Sequence, residues 1–172
     1  MSAYAETAKT SRTTQQSEVE VTPGRVFWLT GLSGAGKTTL GRELWRRLRA
    51  DGRPATFLDG DALRAAIADD LGHTAEDRKQ SAMRNARLCR LLAQQGFDVV
   101  CATISLLHEV QRWNRQNIPG YHEIYLRVPM EELRRRDNKG IYADARLGSR
   151  RNVVGIDVTA EIPIIEEPPP KG

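Results

Sequence analysis

Apolar positions recur along the chain in two alternating rhythms. Arg25-Val26-Phe27-Trp28-Leu29-Thr30 is a near-continuous apolar run of strand length, and Leu40, Leu44 and Leu48 then repeat at helical spacing. This predicts a buried strand followed by a helix over Lys37 to Ala50, stopped at Asp51-Gly52 by a glycine C-cap. Ala55-Thr56-Phe57-Leu58 reads as a second short strand, ending in Asp59-Gly60-Asp61 and leading into a small helix from Ala62 to Ala68. Thr74 with Asp77 three residues on forms a capping box, which starts a long helix whose apolar stripe of Ala82, Ala86, Cys89, Leu92 and Ala93 runs until Gly96. Phe97 to Ile104 is the best central strand, because its unbroken apolar run suits a sheet covered on both faces. A helix from Leu107 to Asn117, a strand from Glu123 to Val128 and a helix opened by Pro129 complete the pattern. Strands alternating with helices imply parallel βαβ units.

The junction of the first strand and helix carries chemistry. Gly31-Leu32-Ser33-Gly34-Ala35-Gly36-Lys37-Thr38 satisfies the phosphate-loop pattern GxxxxGK[ST] without mismatch, in the strand-loop-helix order the pattern requires. Its glycines let backbone N–H groups turn toward one anion, Lys37 can bridge terminal phosphates, and the hydroxyl of Thr38 can ligate magnesium held by them. Gly31 through Thr38, with Thr39 next in line, are therefore the expected ATP-binding residues, and Thr38 the expected metal ligand. The fold class that follows is α/β, a three-layer phosphate-loop NTPase fold with a mostly parallel sheet and helices on both faces.

In such sheets ligands bind at the carboxyl ends of the strands, so the loop, Asp59-Gly60-Asp61 and Ser105 are expected to converge on one crevice. Phosphoryl transfer needs cations around the migrating group and a residue that orients the attacking hydroxyl. Asp61 is assigned that role beside Lys37, while Asp59 can hold water on magnesium, cap the next helix, or do both. Arg64 follows Asp61 by three residues, on the same helical face, and can fork onto an anionic substrate; Arg78 and Arg84 are weaker candidates.

Composition sets bounds. With 172 residues, 40% of them hydrophobic, the chain is expected to form a single domain. Residues 1–23 are polar and aperiodic and read as a disordered tail, residues 24–160 as the catalytic domain, and the proline-rich, acidic stretch 161–172 as an extended or disordered end. Seven of the eighteen residues from Arg134 to Arg151 are Lys or Arg, a composition that fits either a solvated loop or a lid over triphosphate. The net charge of +4 suits a polyanionic ligand, but the clustered basic residues and aromatic platforms of a nucleic-acid binder are not visible. With no apolar run long enough for a membrane and no leader-like start, a cytoplasmic protein is expected; Cys89 and Cys101 read as reduced packing residues.

The phosphate loop GLSGAGKTT, Leu58-Asp59-Gly60-Asp61 with Arg64, Glu76-Asp77-Arg78, Ala102-Thr103-Ile104-Ser105 and Arg136 to Tyr142 resemble the adenylyl-sulfate kinases in order and spacing, over roughly residues 25–157. The resemblance implies an ATP- and Mg2+-dependent kinase that phosphorylates the 3′-hydroxyl of adenylyl sulfate, a small-nucleotide substrate, and a homodimer. It further implies that Asp61, Arg64 and Arg78 hold the acceptor, with Ser81, Ile104, Ser105 and Lys139 as further substrate-site candidates, and that Arg136 to Tyr142 lies within a lid. In the family the Ser105 position carries a phosphoserine intermediate; in-line transfer needs none, so lining the pocket or capping the next helix is the expected role. Three features depart from the family: Leu106 replaces Pro, Ser81 replaces Asn, and Val158-Thr159-Ala160-Glu161-Ile162-Pro163 replaces a Pro-Tyr-Glu-Pro-Pro-like stretch. Together with Asn152 to Asp157 they make the chain similar to the cytidine diphosphoramidate kinase branch, which is the alternative acceptor class. A switch GTPase would need NKxD, and Asn138-Lys139-Gly140-Ile141 lacks the Asp. A non-catalytic ATP-binding module is the third reading.

Overall fold

The computed structural model describes residues 21–137 and 139–164, so the expectations for residues 1–20 and 165–172 lie outside the described residues. Four strands, β1 (Val26–Thr30), β2 (Ala55–Asp59), β3 (Asp98–Ala102) and β4 (Tyr121–Tyr125), form one parallel sheet in the order β2-β3-β1-β4. Six helices accompany them: α1 (Lys37–Ala50), α2 (Gly60–Ile67), α3 (Ala75–Gln94), α4 (His108–Asn117), α5 (Met130–Arg136) and α6 (Ile141–Arg146).

Strand alternation divides the core into two layers. Val26 and Trp28 of β1 with Val99 and Cys101 of β3 pack against Ala82, Ala86, Cys89 and Val110 of α3 and α4. The intervening Leu29, Val100 and Ala102 face Leu48 and Trp45 of α1 on the other side. This is the three-layer α/β arrangement that the strand-helix alternation predicts. A third cluster, Ala35, Leu133, Tyr142 and Val153, fastens α5, α6 and the 150s segment onto the phosphate loop.

Local chemistry sets most boundaries. The Thr74–Asp77 capping box forms in both directions and starts α3. Asp59 is the N-cap of α2, its Oδ1 accepting from the Asp61 backbone N–H at 3.1 Å, which draws the helix start back to Gly60 from the expected Ala62. Gly60 suits this close approach: a Cβ would stand 3.0 Å from the Ala102 carbonyl oxygen, a contact so tight that the end of β3 would have to give by a few tenths of an ångström. The fourth strand is earlier than its apolar pattern indicates. Its register runs from Val26↔Tyr121 to Thr30↔Tyr125 and stops where β1 stops, leaving Leu126 and Val128 to pack on the third cluster. Likewise β3 ends at Ala102, because its partner Asp59 is the last residue of β2.

Ser105 does not cap α4. Leu107 is the N-cap without a side-chain bond, and the His108 backbone N–H is taken instead by the carboxylate of Glu161. Glu161 also donates its own N–H to the Leu106 carbonyl at 3.0 Å, so residues 161–164 lie along α4 without regular secondary structure. Cys89 and Cys101 are buried free thiols.

Candidate active site

One cleft of about 590 Å3 opens at the carboxyl ends of the strands. The phosphate loop forms one wall with Ser33, Gly34, Gly36, Lys37, Thr38 and Thr39; Gly36, at φ 92°, takes the left-handed conformation that turns the loop into α1. Gly31, Leu32 and Ala35 lie behind that surface. The Lys37 ammonium donates to the carbonyls of Gly31 at 2.9 Å and Leu32 at 2.8 Å, and Ala35 packs into the cluster beneath.

Two carboxylates face the loop. Asp59 Oδ2 accepts from the Thr38 hydroxyl at 2.8 Å, so one side chain caps α2 and holds the phosphate-loop threonine at once. Asp61 is ion-paired with Lys139, whose side chain reaches across from the stretch between α5 and α6. Burial, and then repulsion from Lys139, lowers Lys37 from its ordinary range to about 8, against the attraction of Asp61 and Asp59.

The opposite wall is cationic. Arg64, Arg78, Arg150 and Arg151 line it, with the His73 imidazole among them. Burial, then the charges of Arg64, Arg78 and Arg150, keep the His73 imidazole below its ordinary range. Burial and Arg64 do the same to Arg78. The Arg64 guanidinium is pinned by the Leu71 carbonyl at 2.6 Å and that of Gly72. Arg78 reaches the Asn152 carbonyl. This wall is thus preorganised for a second anion, separate from the one the loop would take.

Sequence reasoning located Asp59, Asp61, Arg64, Arg78, Ser81, Ile104 and Lys139, all of which line the cleft. Two candidates fall elsewhere. Ser105 is fully buried, its hydroxyl has no hydrogen-bond partner, and only its backbone N–H is engaged, donating to Thr30 Oγ1 at 3.3 Å. The backbone leaves β3 at Ala102, so Ile104 faces the cleft while Ser105 turns beneath its floor. Arg84 is held by Asp70 and the Ile67 carbonyl, outside the cleft.

Residues the sequence reading did not single out include Asn85 and His73, whereas Tyr142, Arg150, Arg151 and Asn152 to Val154, which it placed in the basic segment or in the family resemblance, also line the cleft. Tyr142 Oη donates to the Ser33 carbonyl at 2.9 Å and so ties α6 to the phosphate loop. Asn85 carried a visible signal, since it interrupts an otherwise apolar helical stripe of Ala82, Ala86, Cys89 and Ala93.

Among the described residues no cluster of three His, Cys, Asp or Glu side chains can cage a metal ion. The donor set that is present, one threonine hydroxyl beside one carboxylate, fits a magnesium ion that keeps water and phosphate as its main ligands. Nor is any helix of the described residues long and apolar enough to cross a membrane.

The family model for adenylylsulphate kinase matches residues 23–167. Among curated proteins, the adenylyl-sulfate kinase of Paraburkholderia xenovorans is 43% identical over 142 residues, covering 82% of this chain and 79% of that protein. The cytidine diphosphoramidate kinase of Campylobacter jejuni is 40% identical over 141 residues, covering 80% of this chain and 81% of its own length. Among solved structures, the APS kinase of Mycobacterium tuberculosis in complex with AMPPNP and APS superposes with a TM-score of 0.78 at 36% identity, covering 82% of this chain and 84% of that one.

Proposed function

We propose that this chain, which belongs to the adenylylsulphate kinase family, transfers the terminal phosphoryl group of ATP to the 3′-hydroxyl of adenylyl sulfate, giving 3′-phosphoadenylyl sulfate. The observation that carries the reading is the pairing of two anion-holding walls in one cleft, the phosphate loop on one side and Arg64, His73, Arg78 and Arg150 on the other, with Asp61 on the helix that joins them.

In this reading the N–H groups of the loop and Lys37 hold the donor's phosphates, and Thr38 with Asp59 would hold a magnesium ion, which would supply charge neutralisation there. Asp61 accepts a hydrogen bond from the acceptor hydroxyl and aims it in line; Lys139 balances the Asp61 charge until substrate arrives. Arg64 and Arg78 hold the anionic linkage of the acceptor, with Ser81 and Ile104 on its flank. Residues 134–151 act as a lid, which the Tyr142 bond to Ser33 holds against the loop. Ser105 has no part, because a buried hydroxyl beneath the floor cannot reach a phosphoryl group. The domain spans residues 24–160, works as a homodimer, and is cytoplasmic.

A second reading takes cytidine diphosphoramidate as acceptor. It is favoured by Ser81, which offers a hydroxyl on the acceptor wall where the family's typical asparagine offers a carboxamide, and by the 40% identity to the Campylobacter enzyme. The deciding experiment offers ATP, magnesium and each acceptor separately, and follows ADP release and product mass. The main reading expects turnover of adenylyl sulfate. Turnover of cytidine diphosphoramidate alone would replace it with the second, and ATP binding without turnover of either would make the chain a binding module.

A further inference from the structure

Helix α3 presents one polar column to the cleft. Arg78, Ser81 and Asn85 all line it and span about 10 Å along the axis at 1.5 Å per residue, enough to run from the phosphate of a nucleotide to its base. The column changes character along its length, from cation to hydroxyl to carboxamide.

Its last member is the anomaly. Asn85 is 3% exposed, on the stripe that otherwise carries Ala82, Ala86, Cys89 and Ala93 against the sheet. A carboxamide there is unfavourable unless its hydrogen bonds are made, and its Oδ1 is buried with no partner. Among the described residues, five other side chains also bury a polar atom without a partner, and none of them lines this cleft. An unsatisfied acceptor retained at the wall of a binding cleft is explained when a ligand supplies the donor.

We infer that Asn85 is a specificity-determining residue that reads the base of the acceptor nucleotide, its carboxamide oxygen accepting from an exocyclic amino group. The inference rests on the proposed reading that the acceptor is a nucleotide. The chemistry it selects is an amino-bearing base, adenine or cytosine, over the oxo-bearing hypoxanthine or uracil, because an oxo group facing Oδ1 would set two acceptors against each other. Arg78 fixes the phosphate end of the same ligand, so Asn85 contributes to choice of base and not to phosphoryl transfer.

The test uses the full chain saturated with a non-hydrolysable ATP analogue and magnesium. Adenosine, inosine, cytidine and uridine 5′-monophosphates are titrated by calorimetry into wild type, Asn85→Leu and Asn85→Ser. Wild type is expected to bind one amino-bearing nucleotide at least about tenfold more tightly than its oxo counterpart, and the pair that shows the difference identifies the base. Asn85→Leu, a near-isostere that removes the unpaired oxygen, is expected to melt no lower than wild type and to bind both members of that pair alike. In turnover assays it should raise the KM of the acceptor and leave the KM of ATP unchanged. Equal binding of both pairs by wild type would overturn the inference without any variant, as would discrimination that survives in Asn85→Leu, or in Asn85→Ser should the leucine variant not fold. Discrimination that depends on Asn85 in a protein that turns over neither acceptor would sustain this assignment and defeat the proposed reaction.

Discussion

The two ends of the sheet handle charge in opposite ways. At the amino ends of the strands Asp98 is 1% exposed and accepts from the backbone N–H and guanidinium of Arg25 and from Arg53, so one carboxylate ties the start of β3 to the residues that lead into β1 and β2. Burial works to raise this carboxyl, but the bonds from Arg25 and Arg53 outweigh it and hold it far below the usual carboxylate range. At the carboxyl ends Asp61 and Lys139 pair with 80% and 61% of their side chains exposed, and Lys37 is satisfied by two carbonyls that anions can displace. Where charges are mutually and completely satisfied, they hold strands together. Where they are satisfied provisionally, they are available to a ligand.

The contrast can be broken from either side. Lys37→Ala should reduce phosphoryl transfer by a factor on the order of 10² or more without lowering the urea midpoint, because the charge it removes disfavours folding at neutral pH. An equal loss of stability would mean that the loop end is structural too. Asp61→Asn should lower kcat by about 10² while the calorimetric affinity for ATP moves little. Unaltered kinetics would remove Asp61 from the role of orienting the hydroxyl.

At the other end, Asp98→Ala should cost about 2–3 kcal/mol in urea denaturation, the upper range being out of reach because Arg25 and Arg53 remain partly solvated once unpaired. Its kcat for the protein that stays folded should equal that of wild type. The same carboxylate sets an acid limit. Its folded pKa lies below the unfolded value of about 4, so the stability it contributes is full above pH ~4 and is lost as pH falls through the folded value.

Lys37 titrates in the opposite sense. With a folded value of about 8 beneath the ordinary 10.5, its charge disfavours folding below pH 8, and that penalty is relieved as pH rises toward 10.5. Phosphates restore the ammonium, so ATP binding above pH 8 should take up a proton, and affinity should fall with rising pH by up to about tenfold per unit. Calorimetry at pH 9 in buffers of different ionisation enthalpy checks this, and identical heats after buffer correction would contradict it. The smallest effect belongs to Tyr142→Phe, which removes the bond to the Ser33 carbonyl and should weaken ATP binding by about two- to tenfold, at about 0.5–1.5 kcal/mol for one neutral hydrogen bond.

Much of this was readable before the structure. The phosphate loop, the Thr74–Asp77 cap and the strand-helix alternation are local signals, written within a few residues; the loop and the cap appear where the pattern placed them, and the alternation holds in order with shifted strand ends. The acceptor wall was legible only in part. Asp61, Arg64 and Arg78 stand in motifs, whereas His73, Arg150 and Arg151 reach the cleft from segments with no periodic signature. Ser105 shows the limit most clearly. Its place at the end of the central strand predicts a pocket residue, yet a turn of two residues decides whether Ile104 or Ser105 looks outward, and here it is Ile104.

The order of apolar and polar positions determined the strand-helix alternation and the parallel α/β class, and the GxxxxGK[ST] residues the phosphate-binding loop, because backbone geometry and burial act over short intervals of sequence. Only the tertiary structure decided that β4 stops at Tyr125, that Glu161 instead of Ser105 serves the first turn of α4, and that Asn85 lines the cleft with its oxygen unpaired. Those outcomes depend on register and on contacts between residues tens of positions apart, which no local pattern encodes.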